Sequence, residues 1–143
     1  MIKKYDLVVI GGGSAGIAAA VSAYDQGISS ILVVEKDPFL GGILQQCIHN
    51  GFGLQTYREE LTGPEYASRI INDLLKRNIE YKVNTMALSI EQNEDLTLSI
   101  YYSNSLEGYS CVIAKAIVEA TGCSERTRGN ISTDGNRCSG VMS

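Results

Sequence analysis

Short apolar runs alternate with polar segments along the first third of the chain. Residues 7–10 and 31–34 are four-residue apolar runs, typical of strands buried on both faces of a parallel sheet. Residues 14–26 lie between them, are rich in alanine and contain no proline, so they predict a helix that ends at Gly27. The pattern therefore predicts a strand–helix–strand unit with a right-handed crossover.

The middle of the chain is first irregular and then helical. Residues 38–61 are punctuated by glycine and proline and show little periodicity, which is uncommon in a compact domain unless the segment binds something. Thr62 suits the N-cap of the helix that follows, Pro64 suits its first turn, and Glu65 favours the positive end of its dipole. We expect this helix to run to about Arg77.

The periodicity then changes from helical to alternating. Three alternating runs predict an antiparallel meander with one solvent-facing side, at residues 86–90, 96–100 and 109–113. Residues 116–120 predict a further strand, which meets a glycine at position 122. The expected fold class is α/β, with a Rossmann-like parallel sheet, flanking helices and a three-stranded antiparallel β-meander.

Composition narrows the possible partners. The chain has 143 residues, 44% hydrophobic and 20% charged, as in an ordinary globular protein of about one domain. The net charge of -4 argues against nucleic acid as a partner. No apolar run approaches the ~18 residues of a membrane span. The four cysteines show no C-x-x-C spacing, so we expect reduced thiols, no metal site and a cytoplasmic location.

A glycine fingerprint joins the first predicted strand to the first predicted helix. Gly11 permits a tight turn, Gly13 lets the backbone approach a pyrophosphate, and Gly16 lets the helix pack on the strand. The amide groups and positive end of the helix would then face the anion. The same site is expected to include the flanking residues Ile10, Ser14 and Ala15.

Glu35 strengthens this prediction because it ends the second predicted strand, 19 residues after Gly16. A carboxylate there can accept hydrogen bonds from the hydroxyls of an adenosine ribose, worth roughly 1.5–3 kcal/mol. The same charge would repel a 2′-phosphate, which disfavours NADP at this site. The alternative is a glycine turn and an acidic strand end that hold no ligand.

Three stretches resemble the two-dinucleotide-domain flavoproteins of the glutathione-reductase-like superfamily. They are DLVVIGGGSAG at 6–16, Glu35-Lys36 followed by the double glycine at 41–42, and AIVEATG at 116–122. The resemblance implies an FAD site. It adds to the expected cofactor contacts Lys36, Gly41, Gly42, Ile43, Met86, Ala120, Thr121 and Gly122.

Two further stretches, GGILQQCIHNGFG at 41–53 and LTGPEYA at 61–67, resemble a narrower group. These are the bacterial FAD/NAD(P)-dependent oxidoreductases that accompany glycerol-3-phosphate, opine and related amine dehydrogenases. That resemblance implies hydride transfer to or from the flavin, with NAD(P)H or an amine or alcohol as the other reactant. Electrons would then pass to a partner dehydrogenase subunit.

The superfamily also has a second nucleotide domain and a late Gly-Asp motif, which these 143 residues do not contain. We therefore expect residues 1–122 to be the N-terminal part of an FAD-binding domain. Residues 123–143 are expected to be a polar connector toward an NAD(P)-binding domain. The chain by itself is expected to hold FAD weakly and not to turn over.

Cys47 and His49 are the candidate catalytic residues. Cys47 has no partner at C-x-x-x-x-C spacing, which argues against dithiol exchange, but a single thiol could be a charge-transfer partner of the flavin. His49, the only histidine, could carry a proton beside the flavin. The structural interpretations are a small packed cysteine and a histidine bonded to backbone.

Two functions from other classes remain open. One is an NAD-binding Rossmann module, which the double glycine and the meander oppose. The other is a non-catalytic subunit, either truncated or dedicated to assembly.

Overall fold

The structure, a computed structural model, describes residues 2–123; the predicted connector at 124–143 lies outside this range. Two helices are described, α1 (Ser14–Asp25) and α2 (Gly63–Lys76), together with a short 3₁₀ helix (Gly42–Gln46). The strands are β1 (Lys3–Ile10), β2 (Ile31–Val34), β3 (Asn50–Phe52), β4 (Leu61–Thr62), β5 (Glu80–Lys82), β6 (Thr85–Gln92), β7 (Leu98–Asn104) and β8 (Gly108–Glu119).

One six-stranded sheet organises the chain, in the order β5-β2-β1-β8-β7-β6. Strand β1 pairs in parallel with β2 on one side and with β8 on the other, and β2 pairs in parallel with β5. All four residues of β2 are buried, as the unbroken apolar run predicts. The predicted β1–α1–β2 unit is confirmed.

Helix α2 begins where the sequence predicts. The Thr62 hydroxyl accepts from the Glu65 backbone N–H, and the Glu65 carboxylate accepts from the Thr62 backbone N–H at 2.8 Å, which is a complete capping box. Near its other end, Arg77 donates to both carboxylate oxygens of Asp25 at 2.7 and 2.8 Å, so the two helices are tied side by side. Both helices pack on one face of the sheet through an apolar cluster that includes Ile17 and Leu74.

The meander is present, and its strands continue the parallel sheet instead of forming a second sheet. The third meander strand and the strand predicted at 116–120 form one continuous strand, β8. Its first half pairs antiparallel with β7, and residues 112–119 pair in parallel with β1. No glycine or proline interrupts residues 109–119, so nothing ends the extended backbone between the two predicted strands.

The meander also covers the second face of the sheet. Strands lie about 4.8 Å apart, so β6 and β2, with three strands between them, would be about 19 Å apart in a flat sheet. Yet the Thr85 N–H at the start of β6 donates to the Glu35 carbonyl oxygen after β2 at 2.9 Å, and Ile100 of β7 shares one buried cluster with Leu32 of β2. The sheet must therefore curl, placing the helices on one side and the meander on the other.

Strands β3, β4 and β5 are not anticipated by the sequence patterns. Each has only two or three residues, too few to show a period. Within residues 2–123, no helix has the length and apolar character needed to cross a bilayer.

Candidate functional site

The site lies at the carboxyl ends of the central parallel strands, beginning with the turn after β1. Gly11 adopts φ +109°, and its N–H donates to the Val34 carbonyl oxygen at 2.8 Å. A Cβ at Gly11 would stand 2.2 Å from the Ala120 carbonyl oxygen. Only glycine meets both conditions, so the turn is wedged between the ends of β2 and β8.

Gly16 allows helix α1 to follow this turn closely. A Cβ at Gly16 would lie 1.8 Å from the Gly11 carbonyl oxygen, so the helix packs on the turn that precedes it. The N-cap residue is Gly13, no side chain caps the first turn, and that turn contains no acidic residue. The first amides of α1 are therefore left free to bind an anion.

Glu35 brings a carboxylate to the same place. Although it is charged, the residue is only 6% exposed. Its Oε2 accepts from the Gly12 N–H at 2.7 Å, and its Oε1 accepts from the Asp37 N–H at 2.9 Å. Each carboxylate oxygen has a second lone pair, so the group can still accept hydrogen bonds from a diol.

The double glycine, Gly41 and Gly42, lies against the glycine turn. The Gly41 N–H donates to the Gly12 carbonyl oxygen at 2.8 Å, and a Cβ at Gly42 would lie 3.2 Å from the Gly13 Cα. A side chain at Gly42 would enter the space between the two glycine segments. The arrangement suits a ligand that approaches backbone from both sides, as a diphosphate does.

These segments enclose an open cleft of about 600 Å³. Eleven of the fifteen predicted cofactor contacts line it: Gly11, Gly13, Ser14, Ala15, Glu35, Lys36, Gly42, Ile43, Ala120, Thr121 and Gly122. Three stretches that are far apart in the sequence, around positions 11–15, 35–43 and 120–122, thus meet in one cleft.

Comparison with known proteins agrees with this geometry. Residues 6–56, which contain the glycine turn, Glu35 and the double glycine, match the family model described as FAD dependent oxidoreductase. A thioredoxin reductase from Ureaplasma parvum is 32% identical over 126 residues, which is 87% of this chain and 37% of the relative. An NADH:fumarate oxidoreductase from Klebsiella pneumoniae is 58% identical over 40 residues, which is 28% of this chain and 4% of the relative.

The match identifies residues 6–56 as a segment of the FAD-dependent oxidoreductase family. The chain covers less than two thirds of the length of these two relatives. Solved structures show the same fold. The thioredoxin reductase from Streptococcus pyogenes superposes with a TM-score of 0.73 at 25% identity, covering 90% of this chain and 39% of that one. The bacillithiol disulfide reductase from Bacillus cereus gives a TM-score of 0.74 at 18% identity, covering 92% of this chain and 43% of that one.

The features of the cleft fit the adenosine diphosphate half of FAD. Free amides at the start of α1 suit the diphosphate, and the buried Glu35 carboxylate suits the adenosine ribose. The backbone at Gly42 lies so close to Gly13 that a side chain there would be crowded.

Four predicted FAD contacts do not line the cleft. Ile10, Gly16 and Gly41 support it from behind: Ile10 is 8% exposed, and the two glycines pack on the glycine turn. Met86 is a different case, because it lies on the edge strand β6, is 56% exposed and pairs with Ser103. Met86 nevertheless follows Thr85, whose N–H donates to the Glu35 carbonyl oxygen at 2.9 Å, so a contact between Met86 and FAD stays a prediction.

Cys47 and His49, the predicted catalytic residues, do not line the cleft either. The Cys47 thiol donates to the Ile43 carbonyl oxygen at 3.4 Å, and the Cys47 carbonyl oxygen accepts from the Gly63 N–H at 2.9 Å. His49 Nδ1 lies 3.0 Å from the Asn50 carbonyl oxygen, and its ring packs against Phe52. Both contacts resemble the structural interpretations of these residues, and a catalytic role for either stays a prediction.

The sequence patterns missed four lining residues: Asp37, Phe39, Gln46 and Cys123. They fall in irregular segments that show no periodicity. Asp37 had one signal, since it lies two residues after the strand-ending Glu35, and it forms an ion pair with Lys36 at 3.4 Å. Phe39 is 53% exposed and gives the cleft an apolar wall.

Proposed function

We propose that the cleft binds the adenosine diphosphate half of FAD in the orientation that these contacts define. The diphosphate lies on the amides that begin helix α1, and the hydroxyls of the adenosine ribose bind Glu35. The observation that carries this proposal is the buried Glu35 carboxylate, held 2.7 Å from the amide of Gly12, within the turn that precedes those free amides. Burying a carboxylate costs free energy. Binding of the ribose diol would explain why Glu35 is nevertheless buried at this point.

The chain's own residues bind and orient the cofactor in this proposal. Lys36 supplies a positive charge at the mouth of the cleft, and Ile43 and Phe39 supply apolar walls. The backbone at 120–122 lies beside the glycine turn, on the side opposite Glu35. FAD itself accepts and donates hydride or electrons when it is bound.

The reaction of the whole protein is proposed as hydride transfer between the flavin and NAD(P)H, or between the flavin and an amine or alcohol. NAD(P)H is supported by the name of the Klebsiella relative, an NADH:fumarate oxidoreductase. Amine or alcohol substrates, and a partner dehydrogenase subunit, are supported by the resemblance of residues 41–53 and 61–67 to the companions of glycerol-3-phosphate and opine dehydrogenases. A cytoplasmic location is proposed from the cysteine spacing.

An NAD-binding module is the second candidate function. The glycine turn and Glu35 would serve NAD equally well. The double glycine argues for FAD, because the Gly41–Gly12 hydrogen bond closes the diphosphate from the far side, as the resembling flavoproteins do.

Titration of the chain with FAD, ADP, NADH and 2′-phospho-ADP, followed by calorimetry, tests the proposal. We expect FAD and ADP to bind, NADH to bind more weakly than FAD, and 2′-phospho-ADP to bind worst because Glu35 repels the added phosphate. Tighter binding of NADH than of FAD would contradict the assignment.

A further inference from the structure

Gly12 occupies one of the three positions of the glycine fingerprint that carry no sequence requirement, and it does not line the cleft. It is nevertheless buried, and both of its backbone polar groups are engaged. Its N–H donates to Glu35 Oε2 at 2.7 Å, and its carbonyl oxygen accepts from the Gly41 N–H at 2.8 Å. One residue therefore joins the glycine turn both to Glu35 and to the double glycine.

The two hydrogen bonds leave Gly12 unable to bind a ligand through its amide. The diphosphate must use amides further into helix α1, and Gly12 acts only through its neighbours. A side chain at this position would disturb them, because a Cβ would stand 2.4 Å from Leu40 Cδ2 and 3.2 Å from Glu35 Oε2. Leu40 itself is 5% exposed and immediately precedes the double glycine.

We propose that Gly12 is a positioning residue that sets the sugar and diphosphate subsites relative to each other before a ligand binds. Its N–H orients the Glu35 carboxylate, and its carbonyl oxygen holds the double glycine against the turn. Glu35 then has two roles, as a ligand of the ribose and as an anchor of the glycine turn. This inference rests on the proposed function, because it takes the cleft to be a dinucleotide site.

The variant Glu35→Gln separates the two roles of Glu35. Glutamine has nearly the same shape, but one of its terminal atoms is an NH₂ donor. The two backbone donors that contact Glu35, Gly12 N–H and Asp37 N–H, both need an acceptor, so one of them would face another donor. The ligand 2′,3′-dideoxy-ADP lacks the hydroxyls that the carboxylate would bind.

Calorimetric titration of dideoxy-ADP and ADP into the wild-type chain, Glu35→Gln and the control Glu80→Gln is the first test. Positioning predicts that Glu35→Gln weakens dideoxy-ADP binding about tenfold, because a buried donor loses its acceptor. A pure ribose contact predicts equal or tighter binding, because a negative charge near an anionic ligand is removed. The second result would overturn the inference alone, whereas failure of the wild-type chain to bind ADP would overturn the proposed function as well.

The variant Gly12→Ala, alone and combined with Leu40→Val, is the second test. Leu40→Val removes the Cδ atoms that the new methyl group would displace, and Leu40→Val alone is the matched control. We expect Gly12→Ala to weaken ADP binding about tenfold or more and the double variant to recover most of that loss. Wild-type affinity in Gly12→Ala, or a double variant no better than Gly12→Ala, would overturn the inference.

Amide hydrogen exchange of the ligand-free chain gives a readout that does not depend on binding. The Gly12 amide is expected to be protected in the wild-type chain and less protected in Glu35→Gln, while the Val9 amide in β1 keeps its protection. A Gly12 amide that exchanges as fast as an exposed amide without ligand would show that the site is not set in advance.

Discussion

The cleft lies at the carboxyl ends of the parallel strands and the meander lies on one face of the same sheet, and the two regions differ in the groups that form them. At the cleft, backbone groups and glycines form the walls, and Glu35 is the one buried carboxylate among its lining residues. In the meander, side chains fill the space: Ile100 and Tyr102 pack on β2, and Asn104 donates to the hydroxyl of Thr85. The cleft keeps polar groups available to a ligand, whereas the meander uses its polar groups to hold itself together.

Polar side chains of the meander and of the preceding strand β5 are hydrogen-bonded to one another. Lys82 donates to Glu107, which also accepts from the Tyr102 hydroxyl at 2.6 Å. Burial, followed by the hydrogen bond to Glu107, raises the pKa of Tyr102. Lys82 and Tyr102 lower the pKa of Glu107 by hydrogen bonds to its carboxylate. These side chains use their hydrogen-bonding groups on one another rather than on a ligand.

Ile100→Ala should produce the largest loss of stability, about 4 kcal/mol, because Ile100 is fully buried where the meander meets β2. If the two regions are separate in function, ADP affinity should not change under conditions where the variant is folded. Urea denaturation and ADP titration measure the two effects. Loss of ADP binding by the folded variant would show that the meander shapes the cleft.

Gly16→Ala should cost about 3 kcal/mol, because its Cβ would overlap the Gly11 carbonyl oxygen. Unlike Ile100→Ala, it should also abolish ADP binding, because it displaces the phosphate turn. Gly27→Ala is the matched control at the other end of α1: it has φ +98° but open space, so about 1 kcal/mol and normal binding are expected. Normal ADP binding by Gly16→Ala would refute the role of the turn.

Thr62→Ala should lower the free energy of unfolding by about 1 kcal/mol, because it removes half of the capping box that begins α2. Thr62→Ser keeps the hydroxyl and should behave like the wild-type chain. Both variants should bind ADP normally, since Thr62 does not line the cleft. Thermal melts followed by circular dichroism measure the difference, and equal melting temperatures for the two variants would contradict it.

Glu107→Gln should have the smallest effect, about 0.5 kcal/mol at neutral pH, since Glu107 is partly exposed and screened by solvent. Because folding lowers the pKa of Glu107, its stabilising contribution is present above the pKa in the unfolded chain. It is lost as the pH falls through the lower pKa of the folded state. The wild-type chain should therefore lose more stability than Glu107→Gln on acidification from pH 7 to pH 3, as measured by urea denaturation. Parallel losses would contradict the pairing with Lys82.

The predictions from sequence succeed where the local backbone requires one type of residue. Gly11, Gly16 and the Thr62–Glu65 pair each meet a local backbone requirement, so the first turn and the start of α2 lie where they are expected. The patterns fail where the outcome depends on distant contacts. Residues 116–120 form no separate strand, because β8 runs on from the meander into the parallel sheet.

The sequence by itself determined the β1–α1–β2 unit, the glycine turn and the acidic strand end, because spacing and the absence of a Cβ act over a few residues. Only the tertiary structure brought Glu35, the double glycine and the backbone at 120–122 to that turn, through the two hydrogen bonds of Gly12 and the bond from the Ala120 N–H to the Ile10 carbonyl oxygen. Those contacts link positions 23 to 110 residues apart, and no local pattern records them. They depend instead on how the strands pair and on which backbone groups are left without a partner.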